Sequence, residues 1–265
     1  MDKATIQETA RFLINAEVEK QEVTRITAKY PDLSIETAYE IQEQLVQMKL
    51  AEGYRIVGPK MGLTSQAKMK QMNVSDPIYG YIFDYMVVSG TEFELTDCIH
   101  PKVEAEIAFV LGKDIEGPGI SGAQVLAATE YVIPALEIID SRYENFQFTL
   151  PDVIADNASS SRVMFGNCIQ RPEALELDLV GVTLSINGQI KDLGAGAAVV
   201  GHPANSVAML ANMLAKKGEK LKAGQTILSG GITGAIMLNQ GDVVSARFDG
   251  LGCMEFIVKS NKNSN

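Results

Sequence analysis

The pattern of apolar and polar positions divides the chain in two. Up to about position 55, apolar residues recur at helical spacing. Ile6, Ala10 and Leu13 form one stripe, and Ala38, Ile41, Leu45 and Met48 form another. Spacings of three and four place such side chains on one helix face. Ser34 stands where a hydroxyl caps the second helix, and Gly53 marks its end. Beyond Tyr54 the period shortens. Residues 55–57, 102–111, 132–139, 179–186, 226–228 and 243–248 read as strands between Gly, Asn and Asp turns. Asn187-Gly188 is a hairpin signal. One later helix opens at Pro203, carries Val207, Leu210 and Leu214 on one face, and closes at Gly218. The pattern predicts an α+β chain, with a helical N-terminal region over residues 1–55 and a β-rich body over 56–265.

The longest strand run holds the most informative feature. Val103, Ala105, Ile107, Phe109 and Leu111 share one face, and Glu104, Glu106, Ala108 and Val110 share the other. Both faces turn apolar beyond the glutamates, which predicts a strand buried on both sides. Two carboxylates on one buried face lose hydration and repel each other. Either one carries a proton or a cation holds both. A hard divalent ion such as Mg²⁺ or Mn²⁺ suits carboxylate oxygens. The ordinary alternative is a strand end that points both glutamates into water. A third carboxylate, Glu137, shares its face with Ile133, Ala135 and Ile139. It needs a partner, either the same metal or an ion pair with Arg142 or a lysine. Three carboxylates from two strands would leave metal positions open for a substrate.

Charge and composition narrow the partners. A formal net charge of −10 argues against nucleic acid or an anionic membrane. No apolar run reaches membrane-spanning length, and the first residues lack a signal-peptide core. The three cysteines are scattered without zinc spacing, which fits a reducing cytoplasm. His100 and His202 are the only histidines, so a multi-histidine metal site is excluded. No nucleophile-elbow pattern supports a Ser-His-Asp triad.

Three further segments carry chemistry. Lys60 lies between Gly58 and Gly62 after a strand, where it could meet an oxyanion or handle a proton, or simply be a solvated turn residue. Asp156 to Arg162 is a polar cluster after an apolar stretch; it can offer donors to a carboxylate, with Arg162 able to grip one bidentately, or be an ordinary loop with a helix cap. Leu228 to Gly234 places Gly230, Gly231 and Thr233 after a strand, a pattern for an anion nest. Gly194-Ala195-Gly196 lacks the βαβ setting of a dinucleotide loop.

Taken together, Lys60-Met61-Gly62-Leu63-Thr64-Ser65, Glu104-Ala105-Glu106-Ile107-Ala108, Pro134-Ala135-Leu136-Glu137, Asp156-Asn157-Ala158-Ser159 and Gly201-His202-Pro203 resemble one superfamily. It is the fumarylacetoacetate hydrolase superfamily, in its branch of 2-hydroxypentadienoate hydratases and 4-oxalocrotonate decarboxylases. The resemblance runs from about Tyr30 to Val258. Ile139 to Phe146, Ser160-Ser161-Arg162 and Gly230 to Thr233 resemble the decarboxylases in particular. Pro59 departs from the usual pattern before the lysine.

The resemblance implies a mixed β-roll body behind a helical N-terminal part, and a Mg²⁺ or Mn²⁺ cofactor. It places Glu104, Glu106 and Glu137 as metal carboxylates and Lys60 near the reacting carbons. It implies decarboxylation of an oxo-dicarboxylate, 2-oxohex-3-enedioate, in meta-cleavage of aromatic compounds. Ser159, Thr233 and Gly231 would then orient the oxo-acid end, and Arg142 or Arg162 would hold the distal carboxylate. Hydration of 2-hydroxypenta-2,4-dienoate is the rival activity. A non-catalytic subunit of a hydratase–decarboxylase complex is the rival of another class. Association with such a hydratase and into a homo-oligomer is also expected.

Overall fold

The computed structural model describes residues 1–65, 69 and 77–259. Helices α1 (Lys3–Glu19), α2 (Ile26–Lys29) and α3 (Ile35–Ala51) come first. Asp2 caps α1 by accepting from the Thr5 N–H at 2.8 Å, and Ser34 caps α3 by accepting from Thr37 at 3.2 Å. Ile6, Ala10 and Leu13 face Ala38, Ile41 and Leu45 in a buried cluster. That cluster also takes in Tyr143, Val153, Ile154 and Ala158, so the helices share their core with the rest of the chain.

The remaining elements are β1 (Ile56–Gly62), β2 (Ile78–Phe83), β3 (Glu92–Glu94), β4 (Lys102–Leu111), α4 (Gly122–Ala128), β5 (Thr129–Ile139), α5 (Leu150–Ala155) and β6 (Ser160–Phe165), followed by β7 (Gly181–Ile186), β8 (Gln189–Ala195), α6 (Pro203–Ala215), β9 (Thr226–Leu228), β10 (Ile236–Met237), β11 (Val243–Phe248) and β12 (Gly252–Lys259). One sheet runs β2-β1-β9-β4-β5-β6, with β10 also paired to β4. The other runs β3-β12-β11-β7-β8. Phe109, Val182, Leu184, Val244 and Phe256 fill the space between them, joined by Val207, Leu210 and Leu214 of α6. This is an α+β fold, helical at its N-terminal end and built of mixed sheets beyond.

Several local expectations hold. β4 is buried from Val103 to Leu111, on both faces. Asn187 and Gly188 take positive φ of 54° and 76° and turn β7 into β8. The later helix does open at Pro203, and His202 caps it, its Nδ1 accepting from the Ala204 N–H at 3.0 Å. Among the described residues no helix is long and apolar enough to cross a membrane.

Two local expectations fail for physical reasons. The segment 160–162 is not a loop but the start of β6, the buried neighbour of β5. Its polar residues hide the strand from a hydrophobic pattern, yet they are satisfied: Ser160 Oγ donates to Asn157 O at 2.7 Å. Lys60 likewise sits within β1 rather than after it, opposite Gly80 of β2. Gly58 explains the close approach to β9, because a Cβ there would run into the Thr226 carbonyl.

Candidate metal centre and active site

The antiparallel register of β4 and β5 sets Glu104 directly opposite Glu137, and Glu106 follows on the same face. Glu104, Glu106 and Glu137 are 7%, 0% and 1% exposed, which rules out the solvent-facing strand end. β9 separates β1 from β4, and across it Lys60 reaches the same space. Lys60 Nζ stands 3.1 Å from Glu137 Oε1. A lysine rather than Arg142 is therefore the ion-pair partner of Glu137.

The turn after β9 completes the centre. Ser229 Oγ donates to Ile107 O at 2.8 Å, and the Ile232 N–H donates to Ala105 O at 2.9 Å, so the turn runs along β4. Gly230 takes a φ of +111°, open only to glycine, and its N–H donates to Glu106 Oε2 at 2.8 Å. A Cβ on Gly231 would collide with Glu104 Oε2. These glycines therefore cradle protein carboxylates. The Gly230 amide is committed to Glu106 and is not aimed at a substrate anion. Thr233 is buried, and its Oγ1 accepts from the Ala105 N–H at 3.1 Å.

Burial, then repulsion from Glu137 and Glu104, pushes the Glu106 carboxyl well above its ordinary range, against the pull of Lys60. Glu137 is also pushed up by burial, opposed chiefly by Lys60. Glu106 Oε1 and Glu137 Oε2 lack an aligned hydrogen-bond donor, while Glu137 Oε1 faces the Lys60 ammonium at 3.1 Å. Buried carboxylate oxygens left in this way need a cation or a proton. Among the described residues no group of three or more Asp, Glu, His or Cys side chains is placed to hold a metal ion as the side chains stand. The donor set still fits a hard divalent ion: three carboxylates face one ammonium, and every orphaned atom is oxygen.

A cavity of about 510 Å³ opens onto this centre, lined by Lys60, Glu104, Ser159 and Gly231. Asn157, Ala158 and Ser159 all adopt left-handed φ, at 50°, 52° and 57°. Non-glycine residues rarely do so, and strain of this kind collects at ligand sites. Asn157 holds the turn by accepting from the Tyr81 N–H at 2.8 Å and donating to Tyr81 O at 2.9 Å. Ser159 is 3% exposed, lines the cavity, and its Oγ has no partner among the described residues. A second cavity, of about 530 Å³, lies by α1 and α2, and its lining includes none of Glu104, Glu106 and Glu137.

The two arginines expected at the distal carboxylate are engaged elsewhere. Arg142 is 2% exposed; its Nε donates to Asp156 Oδ1 at 2.5 Å and its Nη atoms donate to the carbonyls of Asp140, Ser160 and Asp156. Arg162 donates to Ser161 O at 3.0 Å and Asp97 O at 3.4 Å, and lies over the Tyr85 ring. Neither belongs to the described cavity lining, whereas Arg25 and Lys102 do. Lys102 was legible, because it stands two residues before Glu104 on the same face of β4. Arg25 sits at the start of α2, and no local pattern ties it to the body.

Comparison with known proteins agrees with this architecture. The family described as Fumarylacetoacetate (FAA) hydrolase C-terminal matches residues 51–259. The chain belongs to the fumarylacetoacetate hydrolase family. It is 49% identical to 4-oxalocrotonate decarboxylase of Pseudomonas sp. (strain CF600), over 91% of this chain and 92% of that protein. It is 37% identical to 2-keto-4-pentenoate hydratase of Paraburkholderia xenovorans (strain LB400), over 97% of this chain and 96% of that protein. The solved 4-oxalocrotonate decarboxylase from Pseudomonas putida G7, complexed with magnesium and adipate, matches with a TM-score of 0.95 at 44% identity, covering 97% of this chain and 98% of that one.

Proposed function

We propose that this chain is a carboxy-lyase that converts 2-oxohex-3-enedioate to 2-hydroxypenta-2,4-dienoate and CO₂, in meta-cleavage degradation of aromatic compounds. The observation that carries the reading is the face-to-face pair Glu104–Glu137, with Glu106 and Lys60 beside it, in a chain 49% identical to a decarboxylase. The magnesium and the six-carbon diacid held by the solved relative support both cofactor and substrate class.

Glu104, Glu106 and Glu137 would hold Mg²⁺ or Mn²⁺. When bound, the cation supplies a Lewis acid next to the substrate's 2-oxo oxygen, where negative charge develops. The C5–C6 bond breaks and CO₂ leaves. Its electron pair becomes the C4–C5 double bond, the C3–C4 double bond shifts to C2–C3, and the C2 oxygen takes the charge. Lys60 stabilises that oxygen and can deliver the proton that makes the dienol. The Ser159 hydroxyl, which has no partner among the described residues, donates to the oxo-acid end. Gly231 leaves room for Glu104. The apolar walls of Ile78, Ile139 and Val153 limit water, which favours charge neutralisation over hydration.

Hydration of 2-hydroxypentadienoate by the same centre is the second reading, supported by the 37% identity to a hydratase. We place the protein in the cytoplasm, as its free cysteines suggest, in a homo-oligomer and alongside a hydratase that consumes its dienol product. The test is purified protein with 2-oxohex-3-enedioate, with and without Mg²⁺, following CO₂ and dienol. Metal-dependent CO₂ release is the expected result. Metal-dependent consumption of 2-hydroxypentadienoate without CO₂ would move the activity to hydration, and a metal-loaded chain inert to both would leave the partner-subunit role.

A further inference from the structure

We propose that Lys102, held by Phe146, is the anchor for the substrate's distal carboxylate and sets the preference for a dicarboxylate. This deepens the decarboxylase reading and rests on it. The decarboxylated end must be recognised as an anion, and the two expected arginines are bound to backbone carbonyls. Among the described cavity residues the cations are Lys60, Lys102 and Arg25. Lys60 is already paired with Glu137.

Geometry selects Lys102. Glu106, Glu104 and Lys102 share one face of β4, and burial falls along that row, from 0% exposed at Glu106 through 7% at Glu104 to half-buried Lys102. The row therefore leads from the metal centre toward solvent. Two residues of strand span roughly 6.6 Å. An extended six-carbon diacid spans roughly 6 Å, being five bonds of about 1.5 Å in zigzag. A substrate whose oxo-acid end lies over Glu104 thus brings its C6 carboxylate to Lys102.

The lysine is also pre-positioned. Its Nζ lies 3.7 Å from the centroid of the Phe146 ring, a close cation–π contact. Asn145 and Phe146 adopt left-handed φ of 55° and 58°, and the Phe146 ring packs on His100 and Phe148. The strained turn fixes the aromatic ring and, through it, the ammonium. Arg25 lines the same cavity and adds positive potential at its mouth. A lysine only partly buried also suits a leaving carboxylate. A buried, bidentate arginine would stabilise the ground state and slow CO₂ loss, whereas a hydrated point charge grips weakly.

The test uses the full-length, Mg²⁺-loaded protein and two unreactive probes, 2-oxohexanedioate and 2-oxohexanoate, which share the oxo-acid end and lack the C3–C4 double bond. Calorimetry should show the wild type binding the diacid roughly 10- to 100-fold more tightly, as a charged hydrogen bond implies. Lys102→Met should abolish that preference while leaving 2-oxohexanoate binding unchanged, Lys102→Arg should restore it, and Phe146→Leu should reduce it. With 2-oxohex-3-enedioate, Lys102→Met should raise KM by a similar factor with kcat unchanged or higher. A diacid preference that survives Lys102→Met overturns the anchor, and one untouched by Phe146→Leu removes the aromatic from it. If the wild type releases no CO₂ yet shows a Lys102-dependent preference, the decarboxylase reading fails and the anchor stands.

Discussion

Glu104 and Glu137 face each other across adjacent antiparallel strands, and Lys60 Nζ lies 3.1 Å from Glu137 Oε1. Buried like charges in direct register destabilise a sheet unless something neutralises them. One lysine against three carboxylates leaves an excess of negative charge, and the behaviour of that excess is open to measurement.

Glu106→Gln keeps the shape of the side chain and removes its charge. Turnover should fall by more than roughly 100-fold, beyond the 10- to 100-fold that outer-shell changes cost at metal sites. Metal content measured on dialysed protein should fall with it, while circular dichroism stays native. Full activity with normal metal content would remove Glu106 from the ligand set.

The same carboxylates make stability depend on pH. An unfolded glutamate titrates near 4.5, and the folded metal-free chain lifts Glu106 well above that value. A raised carboxyl contributes stability below the unfolded value and loses it as pH climbs toward the folded one. The Tm of EDTA-treated protein should therefore fall as pH rises from 4.5, relative to Glu106→Gln at each pH. The Tm gained on adding Mg²⁺ should grow across the same window, because binding displaces protons. A Mg²⁺ gain independent of pH contradicts this linkage.

Gly231→Ala tests the cradle. Its φ lies outside the left-handed region, so alanine can adopt the backbone, but the new Cβ meets Glu104 Oε2. Glu104 must move, and Mg²⁺ affinity and kcat should drop roughly 10- to 100-fold with the fold intact. Titration calorimetry with Mg²⁺ separates this from a general loss of stability. Unchanged affinity would show that Glu104 moves without consequence.

The arginines should report stability rather than substrate. Arg142→Met breaks a buried ion pair with Asp156 and should cost about 3–5 kcal/mol in urea unfolding, with KM of the remaining folded protein unchanged. Arg162→Ala should leave KM for 2-oxohex-3-enedioate as in the wild type. A large KM increase in Arg162→Ala, with Tm preserved, would return that residue to the site.

Much of the site was readable from local pattern. Glu104 and Glu106 stood out because alternation within ten residues fixes which side chains share a strand face, and apolar neighbours on both faces imply burial. Glu137 stood out as a lone charge among β-branched residues. β6 was missed because Ser160, Ser161 and Arg162 are polar but buried: Ser160 turns back to nearby Asn157, while Ser161 and Arg162 meet Cys98 and Asp97, far away in sequence. Lys60 was read as a loop residue because strand pairing with β2 and β9, not its own neighbours, extends β1 past it.

The sequence by itself determined the α+β division, the helix cap at Ser34, the helix start at Pro203, the doubly buried β4, and the need to neutralise its carboxylates. All of these depend on interactions within a few residues, where spacing dictates geometry. Only the tertiary structure decided that Glu104 pairs with Glu137, that Lys60 crosses β9 to reach them, and that Arg142 and Arg162 are turned to backbone carbonyls while Lys102 opens to the cavity. Register and long-range hydrogen bonds settle those choices, and neither is written in any local stretch of chain.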